Sequence, residues 1–168
     1  NKKDYFEPFD LSEVGSAPCD DSSNLVQPLL IGLSCAARDA AINAATNVFT
    51  VSANGTKHIT EIVFDDDGKI VAGYHKHHLF PTEKKIVTPG PFNPTTFELL
   101  GRRWGIVICY EGIYPSVSGD WSQLDALSKA GAQAFVWSVG GTEGTLKSYA
   151  LKIAKKYKVQ VLATEGYD

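Results

Sequence analysis

The sequence contains no methionine in its 168 residues. A chain without methionine cannot begin at its own translation start, so we expect a processed product or part of a longer protein. Its apolar runs are short, and none approaches the roughly 20 residues that a membrane-spanning helix needs. The opening segment, NKKDYFEPFD, also lacks the apolar core of a signal peptide. The chain as given is therefore predicted to have no membrane span.

An excess of charge of either sign is also missing. The formal net charge is -3, from 16 basic and 19 acidic residues, which gives no electrostatic reason to expect a nucleic-acid or membrane-surface partner. Apolar residues make up 43% of the chain and charged residues 21%, an ordinary globular composition. A chain of this length can bury the core of one domain.

Cysteine is scarce, with only Cys19, Cys35 and Cys109 present. In a secreted protein an odd number indicates one disulfide and one free thiol. Cys19 and Cys35 are close in sequence, so their pairing is the prediction, and two reduced, buried thiols in a cytosolic protein are the alternative. Asn54 opens an Asn-Gly-Thr sequence, a glycosylation acceptor that agrees with secretion.

The first half of the chain is rich in hairpin patterns. A polar lead-in over residues 1–24 is predicted to be irregular, and the Leu- and Ala-rich residues 25–45 predict a helix. β-branched residues separated by the turn sequences NGTK and DDDGK then predict strands over 46–53, 59–64 and 70–74. Four prolines within residues 81–95 predict a long loop.

The second half alternates strands with helices. A hairpin-like pair of strands is predicted around Gly101, over residues 97–100 and 104–108. Further along, the pattern predicts helix 121–130, strand 134–139, helix 145–158 and strand 159–163. This alternation favours a layered α/β domain with a mixed sheet.

One cysteine stands at the end of an apolar, β-branched run. The sequence GIVICYEG places Cys109 where a strand would run into a sharp turn. A side chain presented there can act as a nucleophile, and the backbone N–H groups beyond it can bind a developing oxyanion. Free cysteines are also among the most buried residue types, so a structural thiol is the alternative interpretation.

A basic cluster, YHKHHLF over residues 74–80, contains the second candidate. Lys76 at a strand end can stabilise a thiolate and an oxyanion, and an exposed basic surface is the alternative. Glu83 follows in a loop, where it can orient that lysine or transfer protons, or is simply a loop acid. Although three histidines lie in this cluster, no second group of ligands is evident, so neither a metal site nor a cofactor is predicted.

Together these motifs resemble those of the nitrilase superfamily of carbon–nitrogen hydrolases. That family pairs a YRK-like lysine motif with a later cysteine elbow of the form GxxxCxD/E, and YHKHHLFPTE and WGIVICYEG stand in the matching places. The segment Phe135-Val136-Trp137 matches the unit after the cysteine. The resemblance implies an α/β fold, the α-β-β-α sandwich with mixed sheets. Residues 25–168 would be the central part of that domain, after the lead-in over 1–24.

Within the superfamily, the vanin and biotinidase branch offers further matches. That branch carries a proline-cysteine pair and an LSC sequence before the lysine motif, and this chain has Pro18-Cys19 and Leu33-Ser34-Cys35. VFDDDGKIVAGYHKHHLF also resembles its counterpart over its whole length. Members are secreted or lipid-anchored, glycosylated and disulfide-bonded. The resemblance therefore implies an extracellular protein, or one anchored at the surface through a segment not in this chain.

The resemblance implies a thiol-dependent amidohydrolase acting on a small linear amide. Cys109 would attack the carbonyl carbon and become acylated, while Lys76 and the backbone N–H of Tyr110 would steady the oxyanion. Glu83 matches the family's second, structural glutamate. Because vanin-like members cleave pantetheine and biotinidase cleaves biotinyl-lysine, the expected partner is a small amide substrate.

One group that the family requires has no counterpart in this sequence. The family's general-base glutamate lies well upstream, and Glu7, in FEPFD, resembles a later segment and is not assigned that role. We therefore expect a missing segment or a partner chain to complete the domain, and a homo-oligomer in keeping with the superfamily. A cytosolic amidase without the disulfide is one alternative. Another is a catalytically inactive nitrilase-like module that serves as a structural or interaction component of a secreted or larger assembly.

Overall fold

The computed structural model describes residues 5–21, 26–141 and 144–166. Within these ranges the strands form two four-stranded sheets. An apolar cluster joins the inner faces of the sheets, and helices cover the outer faces. Residues 1–4 and 22–24 of the predicted lead-in lie outside the described residues.

The first sheet has its strands in the order β1-β2-β3-β4. Its members are β1 (Glu7–Pro8), β2 (Ala44–Val51), β3 (Lys57–Phe64) and β4 (Ile70–His75). β1 pairs in parallel with β2, whereas the β2–β3 and β3–β4 pairs are antiparallel. The NGTK turn predicted between β2 and β3 is present, and Gly55 adopts a φ of 82° that favours glycine there.

The second sheet has its strands in the order β5-β6-β7-β8. Its members are β5 (Thr96–Leu99), β6 (Arg102–Ile108), β7 (Ala134–Val139) and β8 (Gln160–Glu165). β5 and β6 form an antiparallel hairpin, and β6, β7 and β8 run parallel. Parallel strands need crossover connections, and helices supply them. The α-helices of the described chain are α1 (Pro28–Ala40), α2 (Tyr110–Ser118), α3 (Ser122–Lys129) and α4 (Leu146–Tyr157).

The layers follow from the alternation of side chains along each strand. On β3, Ile59 and Val63 belong to the cluster between the sheets, whereas Ile62 and Phe64 pack with Leu30 of α1. The second sheet repeats this arrangement. Ile106 and Ile108 join the inter-sheet cluster, whereas Val107 between them packs with apolar residues of α3 and α4. Each large apolar side chain buried in this way contributes roughly 1.5–3 kcal/mol relative to exposure.

These layers confirm the expected α-β-β-α sandwich with two mixed sheets. The helix α2 was not predicted, and it begins immediately after Cys109. The lead-in is less irregular than expected, because β1 pairs with β2 and Phe9 is buried at 2% exposure. Short 3-10 helices lie at Leu11–Glu13, Pro18–Asp21 and Glu83–Lys85.

A disulfide joins Cys19 to Cys35, with their Cα atoms 4.9 Å apart. The bond ties the lead-in to α1, and the Cys19 N–H also donates to Ser34 Oγ at 3.0 Å. The pairing expected from sequence is therefore present, and Cys109 is a free, half-buried thiol. In the described part of the chain, no helix is both long enough and apolar enough to cross a bilayer.

Candidate active site

Cys109 lies at the junction between β6 and α2, in a backbone conformation that is rare for residues other than glycine. It is the N-cap residue of the helix and has a φ of 43° and a ψ of -109°. Such a conformation costs of order 1–3 kcal/mol and persists only where the surroundings hold it. Here the Cys109 N–H donates to the Ser138 carbonyl at 2.7 Å, and the Cys109 carbonyl accepts from the indole of Trp137 at 2.9 Å.

The carboxylate of Glu111 fixes the elbow from behind. It is buried at 1% exposure, and one of its oxygens accepts from the backbone N–H of Ile108 at 2.9 Å. Its other oxygen accepts from the hydroxyl of Tyr74 at 2.7 Å and from the N–H of His77 at 2.9 Å. Glu111 thus ties the Cys109 elbow to the segment that carries Lys76. Burial of the Tyr74 hydroxyl, together with the negative charge of Glu111, strongly raises the pKa of Tyr74.

Gly112 allows the elbow to sit against the second sheet. A Cβ at this position would overlap the indole of Trp137, which is itself fully buried. The same indole donates to the Cys109 carbonyl, so the approach of the two segments and the orientation of Cys109 depend on each other. The glycine of the GIVICYEG sequence therefore has a packing role.

Lys76 follows β4 and is buried at 1% exposure. Its ammonium nitrogen lies 2.7 Å from both carboxylate oxygens of Glu83, and Glu83 also accepts from the Phe80 N–H at 2.6 Å. Burying an ammonium is costly unless it is paired, and Glu83 supplies the partner. The alternative of an exposed basic surface does not apply to Lys76.

A cavity of about 600 Å³ lies between the two sheets, at the end of β6 and β7. Cys109, Lys76 and Glu83 all line it. The first N–H groups of an α-helix have no partner within the helix, so the Tyr110 N–H at the start of α2 is available beside Cys109. A thiol and an ammonium therefore border one space, and the first N–H of α2 follows the thiol directly in the chain.

A second buried carboxyl stands behind the wall of the same cavity. Glu61 on β3 has no exposed surface; its oxygens accept from Ser138 Oγ at 2.6 Å and from the side-chain amide of Asn47 at 3.2 Å. Both partners line the cavity. Burial raises the pKa of Glu61 from 4.5 to about 7, and the negative charge of Glu111 adds to this effect.

The three histidines of the basic cluster have different hydrogen-bond and stacking partners. His75 stacks on His58 on the outer side of the first sheet, with ring centroids 4.1 Å apart. Burial is the main cause that lowers the pKa of His75 to about 4, and the charge of the nearby His58 adds to it. His77 contacts the Gly90 carbonyl, and His78 contacts the side chain of Gln123. Across residues 5–21, 26–141 and 144–166, no three metal-ligating side chains converge.

The structure thus brings three of the residues singled out from sequence, Cys109, Lys76 and Glu83, to one cavity. Asn54, the glycosylation candidate, lies apart from them in the exposed β2–β3 turn, where its side chain accepts from the Thr56 N–H. Sequence reasoning assigned no role to several polar residues around the cavity and the Cys109 elbow. Of these, Glu111 had a signal, since it is the acid of the GxxxCxD/E pattern. The others have none that one sequence provides; they are Asn47, Glu61, Tyr74 and Ser138.

Curated relatives match about two thirds of this chain. The pantetheinase of Canis lupus familiaris is 29% identical over 122 residues, which cover 66% of this chain and 24% of that protein. The human pantetheine hydrolase VNN2 is 30% identical over 119 residues, covering 64% of this chain and 23% of that protein. The chain thus spans about a quarter of the length of the curated relatives it matches.

Solved structures share the fold. An amidase of Nesterenkonia sp. AN1, in a mutant form with acrylamide added at its active-site cysteine, superposes with a TM-score of 0.72 and 22% identity. The match covers 90% of this chain and 61% of the amidase. Nit3 of Saccharomyces cerevisiae, of the nitrilase superfamily, gives a TM-score of 0.70 at 22% identity, covering 85% of this chain and 52% of Nit3.

A family model adds sequence-level support that does not depend on any single relative. The model described as carbon-nitrogen hydrolase matches residues 8–140, a span that contains the cysteine elbow, the Lys76–Glu83 pair and most of both sheets. The chain belongs to the carbon-nitrogen hydrolase family.

Proposed function

We propose that this protein is a thiol-dependent amidohydrolase that cleaves a small linear amide through an acyl-enzyme on Cys109. The observation that carries the proposal is the shared cavity, in which a strained elbow presents a free thiol beside a buried ammonium. A nearby positive charge and a helix N-terminus are features of sites that activate a cysteine nucleophile. Strain at a reactive residue is characteristic of functional sites.

In the first step the Cys109 thiolate forms a bond to the carbonyl carbon of the amide, and the carbonyl π electrons move to oxygen. The resulting oxyanion is stabilised by the Tyr110 N–H and the Lys76 ammonium. Fixed donors of this kind in a water-poor site stabilise the transition state more than the ground state.

In the second step the tetrahedral intermediate collapses, the carbon–nitrogen bond breaks, and the amine leaves with a proton. Water then adds to the thioester, the carbon–sulfur bond breaks, and the acid and free thiol are released. The sum is amide plus water giving acid plus amine. Both halves need a base, which we expect from a missing segment or partner chain. Glu83 is held by Lys76 and the Phe80 N–H, so we assign it to positioning Lys76.

Pantetheine is the first substrate to test, because relatives matching this chain at 29% and 30% identity are named pantetheinase and pantetheine hydrolase. We also propose an extracellular or surface-anchored location, supported by the Cys19–Cys35 disulfide and by the exposed Asn54 acceptor. Disulfides persist mainly in oxidising compartments. The partners proposed are the small amide and a second copy of the chain, and no nucleic acid.

The decisive experiment measures alkylation of the protein by acrylamide, with peptide mass spectrometry to locate the adduct. Cys109 is expected to react about tenfold or more faster than an unstructured cysteine peptide at pH 7, because the fold holds its sulfur at the start of a helix in a cavity that also contains an ammonium. Cys109→Ala should abolish labelling, and Lys76→Met should slow it. The control Lys129→Met changes an exposed lysine of α3 and should leave the rate unchanged.

Labelling of Cys109 at or below the rate of the peptide would overturn the proposal and support the inactive-module alternative. Pantetheine turnover, followed by the release of cysteamine, gives an independent readout of the substrate. Turnover that survives Cys109→Ala would overturn the assignment of the nucleophile.

A further inference from the structure

The wall of the cavity beside Cys109 presents two polar side chains whose orientation is set by one buried group. Asn47 on β2 and Ser138 on β7 line the cavity from opposite sheets. Each donates a hydrogen bond to the same carboxyl, that of Glu61, which has no surface in contact with solvent. Glu61 therefore bridges the two sheets behind the wall.

These hydrogen bonds fix what the wall can offer to a ligand. A serine hydroxyl has a single proton, and Ser138 gives it to Glu61, so its oxygen presents only lone pairs to the cavity. The Asn47 amide directs its nitrogen toward Glu61, which leaves its carbonyl oxygen as the acceptor. An ionised carboxylate behind the wall thus turns both lining groups into hydrogen-bond acceptors.

The acceptors line the same cavity as Cys109, and Ser138 is joined to Cys109 through the backbone. The Ser138 carbonyl accepts the Cys109 N–H at 2.7 Å, and Ser138 pairs with Ile108, the residue before the cysteine. A molecule whose reacting carbon contacts Cys109 therefore has its neighbouring atoms within reach of the Asn47–Ser138 wall.

We propose that Asn47 and Ser138, oriented by Glu61, form a specificity subsite that selects amides carrying a hydroxyl or a second N–H donor close to the scissile amide. This inference rests on the proposed function of Cys109 and adds the substrate class. A site that accepts hydrogen bonds disfavours an analogue without the donor, because binding then removes water from the two acceptors without supplying a hydrogen bond in exchange.

The subsite also has a predicted pH dependence. Protonated Glu61 donates its proton to one neighbour, and the freed hydroxyl of Ser138 can then point into the cavity as a donor. Since burial raises the pKa of Glu61 to about 7, the wall accepts hydrogen bonds above neutral pH and loses that preference below it.

The test uses two chloroacetamides that alkylate thiols, N-(2-hydroxyethyl)chloroacetamide and its methyl ether, N-(2-methoxyethyl)chloroacetamide. Rates of Cys109 alkylation are measured by mass spectrometry on the full-length protein and divided by the rates with free glutathione. The ratio of the two normalised rates removes the ionisation of Cys109, which affects both reagents equally. It reports the donor preference alone.

We expect the protein to prefer the hydroxyl reagent by about fivefold at pH 8.5 and by less than about twofold at pH 6, the size of effect that one neutral hydrogen bond supports. Glu61→Gln should hold the ratio below about twofold at both pH values, because one of the two groups of its amide is a donor and it cannot accept through separate oxygens from both Asn47 and Ser138. Ser138→Ala should lower the ratio at pH 8.5. Glu98→Gln, at an exposed glutamate of β5, should behave as the unmodified protein.

Rapid alkylation with no donor preference at pH 8.5 would overturn the subsite and leave the proposed function standing. A preference that persists in both Glu61→Gln and Ser138→Ala would likewise overturn the subsite alone. Alkylation of Cys109 no faster than a free thiol with both reagents would overturn the proposed function, and the subsite with it.

Discussion

The ammonium of Lys76 lies 2.7 Å from both carboxylate oxygens of Glu83, with the lysine side chain fully buried and that of the glutamate 21% exposed. The two residues join the end of β4 to the loop that follows it. Removing one partner of such a pair leaves a buried charge without compensation. The pair therefore supports both the fold around the cavity and the position of the ammonium.

We predict that Glu83→Gln lowers the free energy of unfolding by about 2–3 kcal/mol, since the Lys76 ammonium loses its counter-charge. It should also slow alkylation of Cys109, because Lys76 is no longer held. Urea denaturation at pH 7 measures the first effect. The matched control is Glu98→Gln, which breaks the exposed pair with Arg103 and should cost less than about 1 kcal/mol. Equal effects in the two variants would contradict the prediction.

The contact between Gly112 and Trp137 predicts that a second substitution lowers the stability of the protein. Gly112→Ala should destabilise the protein by about 2 kcal/mol or more, because the added methyl group overlaps a fully buried indole. The elbow would shift, so Cys109 alkylation should slow as well. Gly32→Ala provides the control, since a Cβ there meets nothing within 4 Å, and it should stabilise α1 by up to about 1 kcal/mol. Thermal unfolding of both variants tests the contrast.

The raised pKa of Glu61 predicts a dependence of stability on pH. The folded protein retains the proton of Glu61 up to about pH 7, whereas the ordinary value of 4.5 applies in the unfolded chain. The folded state thus binds more protons between these values, and this carboxyl favours folding less and less as the pH rises through that window. We expect Glu61→Gln to gain about 3 kcal/mol relative to the unmodified protein between pH 4.5 and pH 8. A difference in urea midpoint between Glu61→Gln and the unmodified protein that stays constant from pH 4.5 to pH 8 would contradict the expectation.

The lowered pKa of His75 predicts that stability changes with pH in the opposite direction. Burial lowers its pKa from 6.5 to about 4, so the unfolded chain binds its proton more readily than the folded protein. Stability from this residue is complete above pH 6.5 and is lost as the pH falls toward 4. His75→Asn should flatten the acid limb of a pH–stability curve measured by urea denaturation. An acid limb that is unchanged would show that other groups dominate it.

The disulfide predicts both a thiol count and a stability difference. Titration of the denatured protein without reductant should find one thiol, and three would contradict the Cys19–Cys35 bond. Replacing both of these cysteines by serine should cost about 3 kcal/mol, since the bond closes a loop with a sequence separation of 16. Guanidinium unfolding with and without reductant checks the value, and reductant should have no effect on the serine variant.

Most strands and three of the helices could be predicted from local pattern, because β-branched runs and amphipathic spacing determine them directly. Helix α2 could not, because Gly112 and Pro115 oppose helix formation within it. Its stability comes from burial against Trp137 and from the Glu111 carboxylate at its start. Tertiary contacts override local propensity there.

The residues of the site also fall into two groups, those that a local motif identifies and those that only tertiary packing brings together. Cys109 and Lys76 stand out in sequence because short motifs surround them. Glu61 does not, since it occurs in a strand whose other inward-facing residues are apolar. Its partner Ser138 is 77 positions away, and only the packing of one sheet on the other brings them together. Contacts of that separation carry no local signal.

The hydrogen bond from the Trp137 indole to the Cys109 carbonyl gives the proposed acylation of Cys109 an internal optical probe. Any change in charge or geometry at the elbow alters the environment of a buried chromophore that already contacts it. Replacing the other two tryptophans, Trp104 and Trp121, by phenylalanine would leave Trp137 as the single tryptophan. The formation and decay of a thioester could then be followed by stopped-flow fluorescence with unlabelled substrates, one amide at a time.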